Sequence, residues 1–224
     1  MNARICVSIL PKTVPEALQL IEKAEAAHAD FIEVRLERLK DCLENHRGLA
    51  DLGAHGKTPK IATDKASLTK TEHHQVLLNA AKSGFEYVDS ELSTPQLEDL
   101  TRELKAFGAK LVVSFHKFDG SLSLSELHSI LKREISSGAE VCKIVTTAKR
   151  MEDNITTLNF TSTASSKTKL VCFCMGELGK PSRLLSPLFG GFFTFASLER
   201  GSETADGQMT IQEMKTAYGI LGQK

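Results

Sequence analysis

The chain has 224 residues, 41% hydrophobic and 25% charged, which is enough apolar mass for a sizeable core and too much for a disordered chain. Lys plus Arg and Asp plus Glu both number 28, so the formal charge is zero and no basic footprint points to nucleic acid or an anionic membrane. Apolar runs such as Leu111-Val112-Val113-Ser114-Phe115 fall far short of the roughly 20 residues that span a bilayer, which leaves small-molecule chemistry as the favoured class.

In chain order, the start Met1-Asn2-Ala3-Arg4 leads directly into a β-rich run at 4–9, without the apolar block and cleavage site of a signal peptide, which predicts a cytoplasmic protein. Helical periodicity follows at 14–28, with Pro15 near its start, and strands are predicted at 30–36 and 60–63. A helix at 70–82, a strand at 85–89, a helix at 95–107 and a strand at 110–115 come next, then a helix at 123–136 and strands at 140–145, 169–174 and 191–195. Gly84, Gly108 and Gly138 each sit where a helix must stop before a strand. A last helix is expected from Met209 to Leu221.

Alternating β and α segments demand a parallel sheet with right-handed crossovers. Eight such strands in this length fit a closed (β/α)8 TIM barrel better than an open doubly wound sheet, so residues 1–224 are read as one α/β barrel forming a single catalytic domain. Neither G-x-G-x-x-G after the first strand nor G-x-x-x-x-G-K-[ST] occurs, so nucleotide-cradling loops are not indicated. Cys6, Cys142, Cys172 and Cys174 lie in apolar runs and Cys42 does not; all five are read as reduced structural thiols, with no zinc-type spacing.

Barrel enzymes work at the C-terminal ends of their strands, so polar residues that interrupt or end an apolar strand carry the information. Lys143, in Glu140-Val141-Cys142-Lys143-Ile144-Val145, is predicted to point inward, where desolvation disfavours the charged form and frees an amine to attack a carbonyl. The competing reading is a lysine held only by Glu33 or Glu91. His116 ends the neighbouring strand and, if inward, can share a substrate with Lys143 as acid and base; otherwise it is a loop histidine facing solvent. The remaining histidines (28, 46, 55, 73, 74 and 128) fall in helices or loops. Glu33 and Arg35, two apart on one strand, share a face and either pair with each other or serve a ligand. The glycine-rich turn Met175-Gly176-Glu177-Leu178-Gly179-Lys180-Pro181-Ser182-Arg183 opens a helix suited to an anion, and Gly201 to Gln208 supply further hydroxyl and amide donors.

These pieces, Glu33-Val34-Arg35-Leu36, Asp89-Ser90-Glu91-Leu92, Ser114-Phe115-His116-Lys117-Phe118, Lys143-Ile144, the Met175 to Arg183 turn, Ser186-Pro187-Leu188-Phe189-Gly190 and Ala205-Asp206-Gly207-Gln208, resemble in order and spacing the type I 3-dehydroquinate dehydratase family. The resemblance implies that Lys143 forms a Schiff base with 3-dehydroquinate and that His116 is the general acid and base. It further implies that Glu33, Arg35, Lys65, Met175, Arg183, Thr204 and Gln208 contact the substrate, and that the protein is a homodimer of the shikimate pathway. No cofactor and no metal are implied, since the protonated imine is itself the electron sink. Two departures stand out. The family's Ser-Ala-Pro-Gly-Gln reads Thr204-Ala205-Asp206-Gly207-Gln208 here, with Ser202 as the alternative hydroxyl. The family's Thr-x-Arg followed by Glu-Gly-Gly reads Thr63-Asp64-Lys65 and then Ala66-Ser67-Leu68-Thr69, so no acid at Thr69 can orient His116, leaving Glu91 or no acid for that task.

The residues alone also allow a class I aldolase-like barrel, with a lysine on the same strand, or a binding protein in which Lys143 and Glu33 are only an ion pair. Covalent capture of a carbonyl ligand by borohydride separates either enzyme from the binder.

Overall fold

The structure is a computed structural model that describes residues 3–39, 46–65 and 70–223. Eight strands form one parallel sheet: β1 Ile5–Ile9, β2 Phe31–Arg35, β3 Lys60–Thr63, β4 Tyr87–Glu91, β5 Lys110–His116, β6 Val141–Thr147, β7 Lys169–Met175 and β8 Thr194–Ala196. Each strand from β1 to β7 hydrogen-bonds to the next, and β8 pairs back onto β1. The seam between β7 and β8 is closed by the Phe192 N–H donating to the Leu170 carbonyl at 2.7 Å. The result is the expected (β/α)8 barrel.

Among the described residues the helices are α1 Val14–Ala26, α2 His46–Ala54, α3 Lys70–Lys82, α4 Leu97–Ala106, α5 Leu124–Ser136, α6 Glu152–Ala164, α7 Lys180–Leu185 and α8 Ile211–Ile220. None is long and apolar enough to cross a membrane. Local chemistry sets several of their starts. Thr13 accepts from the Glu16 N–H ahead of Pro15 in α1, and Ser123 with Glu126 and Thr210 with Glu213 form reciprocal capping boxes that begin α5 and α8. The predicted stops at Gly84, Gly108 and Gly138 all take positive φ, at +94°, +72° and +87°.

Two helices, α2 and α6, have no counterpart in the sequence reading. For α6 the cause is visible: its buried face carries Asp153, Asn154, Thr157 and Thr161, so no apolar stripe marks it. Thr157 and Thr161 return their hydroxyls to the carbonyls of Asp153 and Thr157, four residues back. β4 begins two residues later than predicted because Phe85 still closes the end of α3, its N–H donating to the Ala80 carbonyl. β8 is shorter than predicted because Phe192 and Phe193 both turn into the barrel floor instead of alternating between its faces.

Strand alternation separates two cores. Outward residues such as Val7, Ile32, Val34, Val88, Leu111 and Val113 pack beneath the helices, with Ile21, Leu77, Leu100 and Met214 among the residues that meet them. The inward core is stacked by depth. Phe31, Ile61, Tyr87, Val112 and Val141 form an apolar floor, closed by Phe193 at 4.8 Å from Phe31 and by Phe192 at 5.5 Å. Two residues further along each strand the inward positions become Glu33, Thr63, Asp89, Ser114 and Lys143, all buried. The floor therefore directs a ligand to the C-terminal mouth. Cys6, Cys142, Cys172 and Cys174 are buried free thiols, and burial pushes the first three up in pKa, as structural cysteines require. Cys42 lies outside the described residues.

Candidate active site

The polar storey of the barrel is a network of buried charges. The Lys143 ammonium donates to Asp89 Oδ2 at 2.9 Å and stands 3.7 Å from Glu33 Oε1. It also lies 4.4 Å from the ring centroid of Phe195 on β8. Glu33 accepts from Thr63 at 2.9 Å and from the Ser8 hydroxyl, so both its oxygens are bonded. Ser114 donates to the second oxygen of Asp89 at 2.7 Å. His116 is placed by the β5–β6 register, in which Ser114 pairs with Lys143 and His116 with Val145, one step nearer the mouth. Its Nδ1 lies 2.7 Å from Glu91 Oε1, and Phe118 stacks over its ring at 6.0 Å. Lys65 reaches Glu91 at 2.6 Å, Asp89 at 3.1 Å and Ser114 at 3.4 Å.

The electrostatics follow from these contacts. Burial works against an ionised Asp89, yet the ammoniums of Lys143 and Lys65 outweigh it and hold this carboxyl well below the usual range. Glu33 is likewise depressed, burial being overridden by Lys143 and Arg35. In Glu91 burial is overridden by the hydrogen bond from His116 and by Lys65. Lys65, desolvated but facing two carboxylates, is pushed up. All three acids are therefore anions at neutral pH, and each can only accept hydrogen bonds.

The mouth is closed from above by α7 and by the loop after β8. Arg183 on α7 is 1% exposed, and burial brings its pKa down to about 10. One of its terminal nitrogens donates to the Asp206 carbonyl at 3.0 Å, its guanidinium lies 4.4 Å from the Phe173 ring, and its Nε has no protein partner. Arg35 is paired with Glu37 and also keeps a buried Nε without a partner. Gln208 receives the Thr204 N–H at 2.8 Å and donates to the Thr204 hydroxyl at 3.1 Å, while Ser202 is turned to the Glu199 carbonyl. Thr204, not Ser202, thus faces the cavity.

The nine residues to which the resemblance gives catalytic or substrate-binding roles line one cavity of about 60 Å³: Lys143, His116, Glu33, Arg35, Lys65, Met175, Arg183, Thr204 and Gln208. Val145, Phe173, Phe195 and Ala205 complete its wall. A larger groove on the outer surface, where α4 and α5 present Asp99 and Lys132, gathers no such set of buried charges. The competing ion-pair reading named Glu33 or Glu91 as the partner of Lys143; Glu33 stands 3.7 Å away, while Glu91 turns to His116 and Lys65. Asp89 is the partner that sequence reading missed, and its position, two residues inward of Glu91 on β4, was the available signal. Thr69 lies outside the described residues. Of the other histidines, His55, His73 and His74 pair with Glu22, Asp64 and Glu103, and His128 packs against Phe160, all away from this cavity.

A lysine and a histidine on adjacent strands, backed by buried carboxylates and facing arginines, make this cavity at the strand C-termini the candidate active site of a barrel enzyme. Residues 5–224 match the family described as type I 3-dehydroquinase. The 3-dehydroquinate dehydratase of Dehalococcoides mccartyi (strain CBDB1) is 37% identical over 212 residues, covering 92% of this chain and 90% of that one. That of Coxiella burnetii (strain RSA 493 / Nine Mile phase I) is 31% identical over 220 residues, covering 96% and 92%. The crystal structure of 3-dehydroquinate dehydratase from Geobacillus kaustophilus HTA426 superposes with a TM-score of 0.89 at 24% identity, over 99% of this chain and 92% of that one, a likeness of fold. The chain belongs to the type I 3-dehydroquinase family.

Proposed function

We propose that this protein removes water from 3-dehydroquinate to give 3-dehydroshikimate, through a Schiff base on Lys143 with His116 as general acid and base. The observation that carries the reading is the Lys143 ammonium, buried inside the barrel 2.9 Å from Asp89, one strand from His116 and in one cavity with Arg183. Lys143 gives up one ammonium proton to solvent and adds in its neutral form to the substrate ketone; the carbinolamine hydroxyl takes a proton back and leaves as water, so a cationic iminium stands where the ammonium stood. Asp89 and Glu33 are anions already in place for that charge, so its formation requires little reorganisation. The iminium acidifies the adjacent carbon, and His116 removes its proton to leave an enamine. The enamine expels the β-hydroxyl, which takes the same proton from His116 and departs as water. A second water hydrolyses the product imine and restores Lys143, so the net change is the loss of one water.

Arg183 and Arg35, each with a buried unpartnered Nε, suit the substrate carboxylate, and Thr204 and Gln208 suit its hydroxyls. Met175 and Phe173 supply the apolar wall. From its membership of this family we assign the reaction to the shikimate pathway of aromatic amino acid biosynthesis, in the cytoplasm. Its homodimer is assigned here to the end of α8, where Ile220 and Leu221 are exposed. We expect incubation with 3-dehydroquinate to generate the ultraviolet absorbance of a conjugated enone, and sedimentation to give twice the chain mass. A flat absorbance trace with intact, folded protein would overturn the substrate assignment, and a monomer mass the assembly.

A further inference from the structure

The family's acid before the third helix is replaced by Thr69 in this chain, yet His116 has an acid partner, supplied by a different strand. We propose that Glu91 and Lys65 are the positioning residues of His116: Lys65 clamps Glu91, and Glu91 fixes the histidine tautomer that leaves Nε2 free for the substrate. This rests on the dehydration reading above but concerns how its base is held.

Three observations build it. First, Glu91 Oε1 receives two donors at once, the His116 ring at 2.7 Å and the Lys65 ammonium at 2.6 Å. An ionised carboxylate can only accept, and Lys65 with His116 keeps Glu91 ionised, so the proton in the His116–Glu91 contact belongs to Nδ1. A neutral His116 held this way presents the lone pair of Nε2 as the base. Second, the Glu91 side chain is 34% exposed, so a carboxylate–histidine contact by itself is weak and free to rotate into solvent. The Lys65 contact is what holds it in one rotamer.

Third, Lys65 has nothing left to offer a ligand. An ammonium carries three N–H donors, and here Glu91, Asp89 Oδ1 and the Ser114 hydroxyl occupy all three directions at 2.6, 3.1 and 3.4 Å. Lys65 lines the cavity, but as a bridge between the acid that holds Lys143 and the acid that holds His116. Without it, two anions on one face of β4, Asp89 and Glu91, stand two residues apart with no cation between them. A compact ammonium serves three acceptors around one point, which the planar fork of an arginine does not.

Three variants and one spectroscopic measurement test this. Glu91→Ala and Lys65→Met are expected to lower kcat by roughly 10- to 100-fold while KM stays within about twofold, because second-sphere partners of a working imidazole carry losses of that order. Glu91→Gln, which keeps an accepting oxygen, is expected to recover most of the loss. Borohydride capture of substrate on Lys143 should persist in all three variants, since imine formation does not need the base. Independently of turnover, the ring ¹⁵N shifts of neutral His116 should report the Nδ1–H tautomer in the parent protein and a change towards Nε2–H in Glu91→Ala. An unchanged tautomer in Glu91→Ala would overturn the role of Glu91. A raised KM with intact kcat in Lys65→Met would make Lys65 a substrate ligand and overturn its role as clamp. If the parent protein fails to dehydrate 3-dehydroquinate, the functional reading falls, while the tautomer measurement still decides the positioning.

Discussion

At the scale of single residues, the site was legible wherever a polar side chain broke an apolar strand. Lys143, His116, Glu33 and Arg35 all announced themselves that way, because an interior position in a barrel excludes charge that has no task. Asp89 stood out as a polar residue ending the fourth strand, but its pairing with Lys143 did not, since an acid near a strand end is equally at home in a loop, and only the register of β4 against β5 turns it towards Lys143. If His116 moves the proton, His116→Ala leaves imine formation intact and slows elimination by roughly 10²- to 10⁴-fold, so that trapped adduct accumulates in rapid-quench samples. Unchanged turnover in that variant would remove His116 from the chemistry. Arg183→Lys exchanges a fork for a point charge; its KM is expected to rise by roughly tenfold, with kcat little changed, in a steady-state assay. An unaltered KM would place the carboxylate on another residue.

At the scale of elements, one segment borders the cavity through Thr204, Ala205 and Gln208. That segment is the loop between β8 and α8. It is docked through Asp206, whose carbonyl accepts from both the Gly176 N–H at 3.2 Å and Arg183 at 3.0 Å. Gly207 makes the approach possible: its φ is +73°, and a Cβ there would sit 2.2 Å from the Gly176 carbonyl oxygen. Gly207→Ala is therefore expected to lift the loop, raising KM by roughly tenfold or more while the thermal midpoint changes little, because the loop lies outside the main core. A large fall in that midpoint with normal KM would mean that the loop is structural only. Sequence reading found this loop's donors but not its docking, which depends on a backbone contact between segments some thirty residues apart. The same limit hid α6, whose buried face is polar and satisfied by its own backbone.

At the scale of the whole molecule, the alternation of β and α segments was enough to specify the barrel, since parallel pairing and right-handed crossovers leave few other solutions. It did not reveal a carboxyl buried outside the site. Glu134 on α5 is fully buried against β6 beside the Cys142 thiol, and burial, only partly opposed by that thiol, raises its carboxyl well above the usual range. A raised folded-state pKa gives stability that is present below the unfolded value of about 4.3 and is lost as pH climbs towards the folded value. Glu134→Gln should therefore match the parent near pH 4 and exceed it at pH 7 by about 1–3 kcal/mol in urea unfolding. Parallel pH profiles would show that Glu134 is not protonated in the fold. The site carboxylates act in the opposite sense: Asp89, Glu33 and Glu91 are depressed, so their contribution is present above the ordinary carboxylate range and lost as pH falls through their folded values.

The central claim is that Lys143 forms a covalent imine with the substrate, and it is tested most directly by reducing the protein with borohydride in the presence of 3-dehydroquinate and mapping the modified peptide by mass. The account predicts one adduct per chain, on Lys143, absent from Lys143→Ala. No adduct, or an adduct on another lysine such as Lys65, would contradict it.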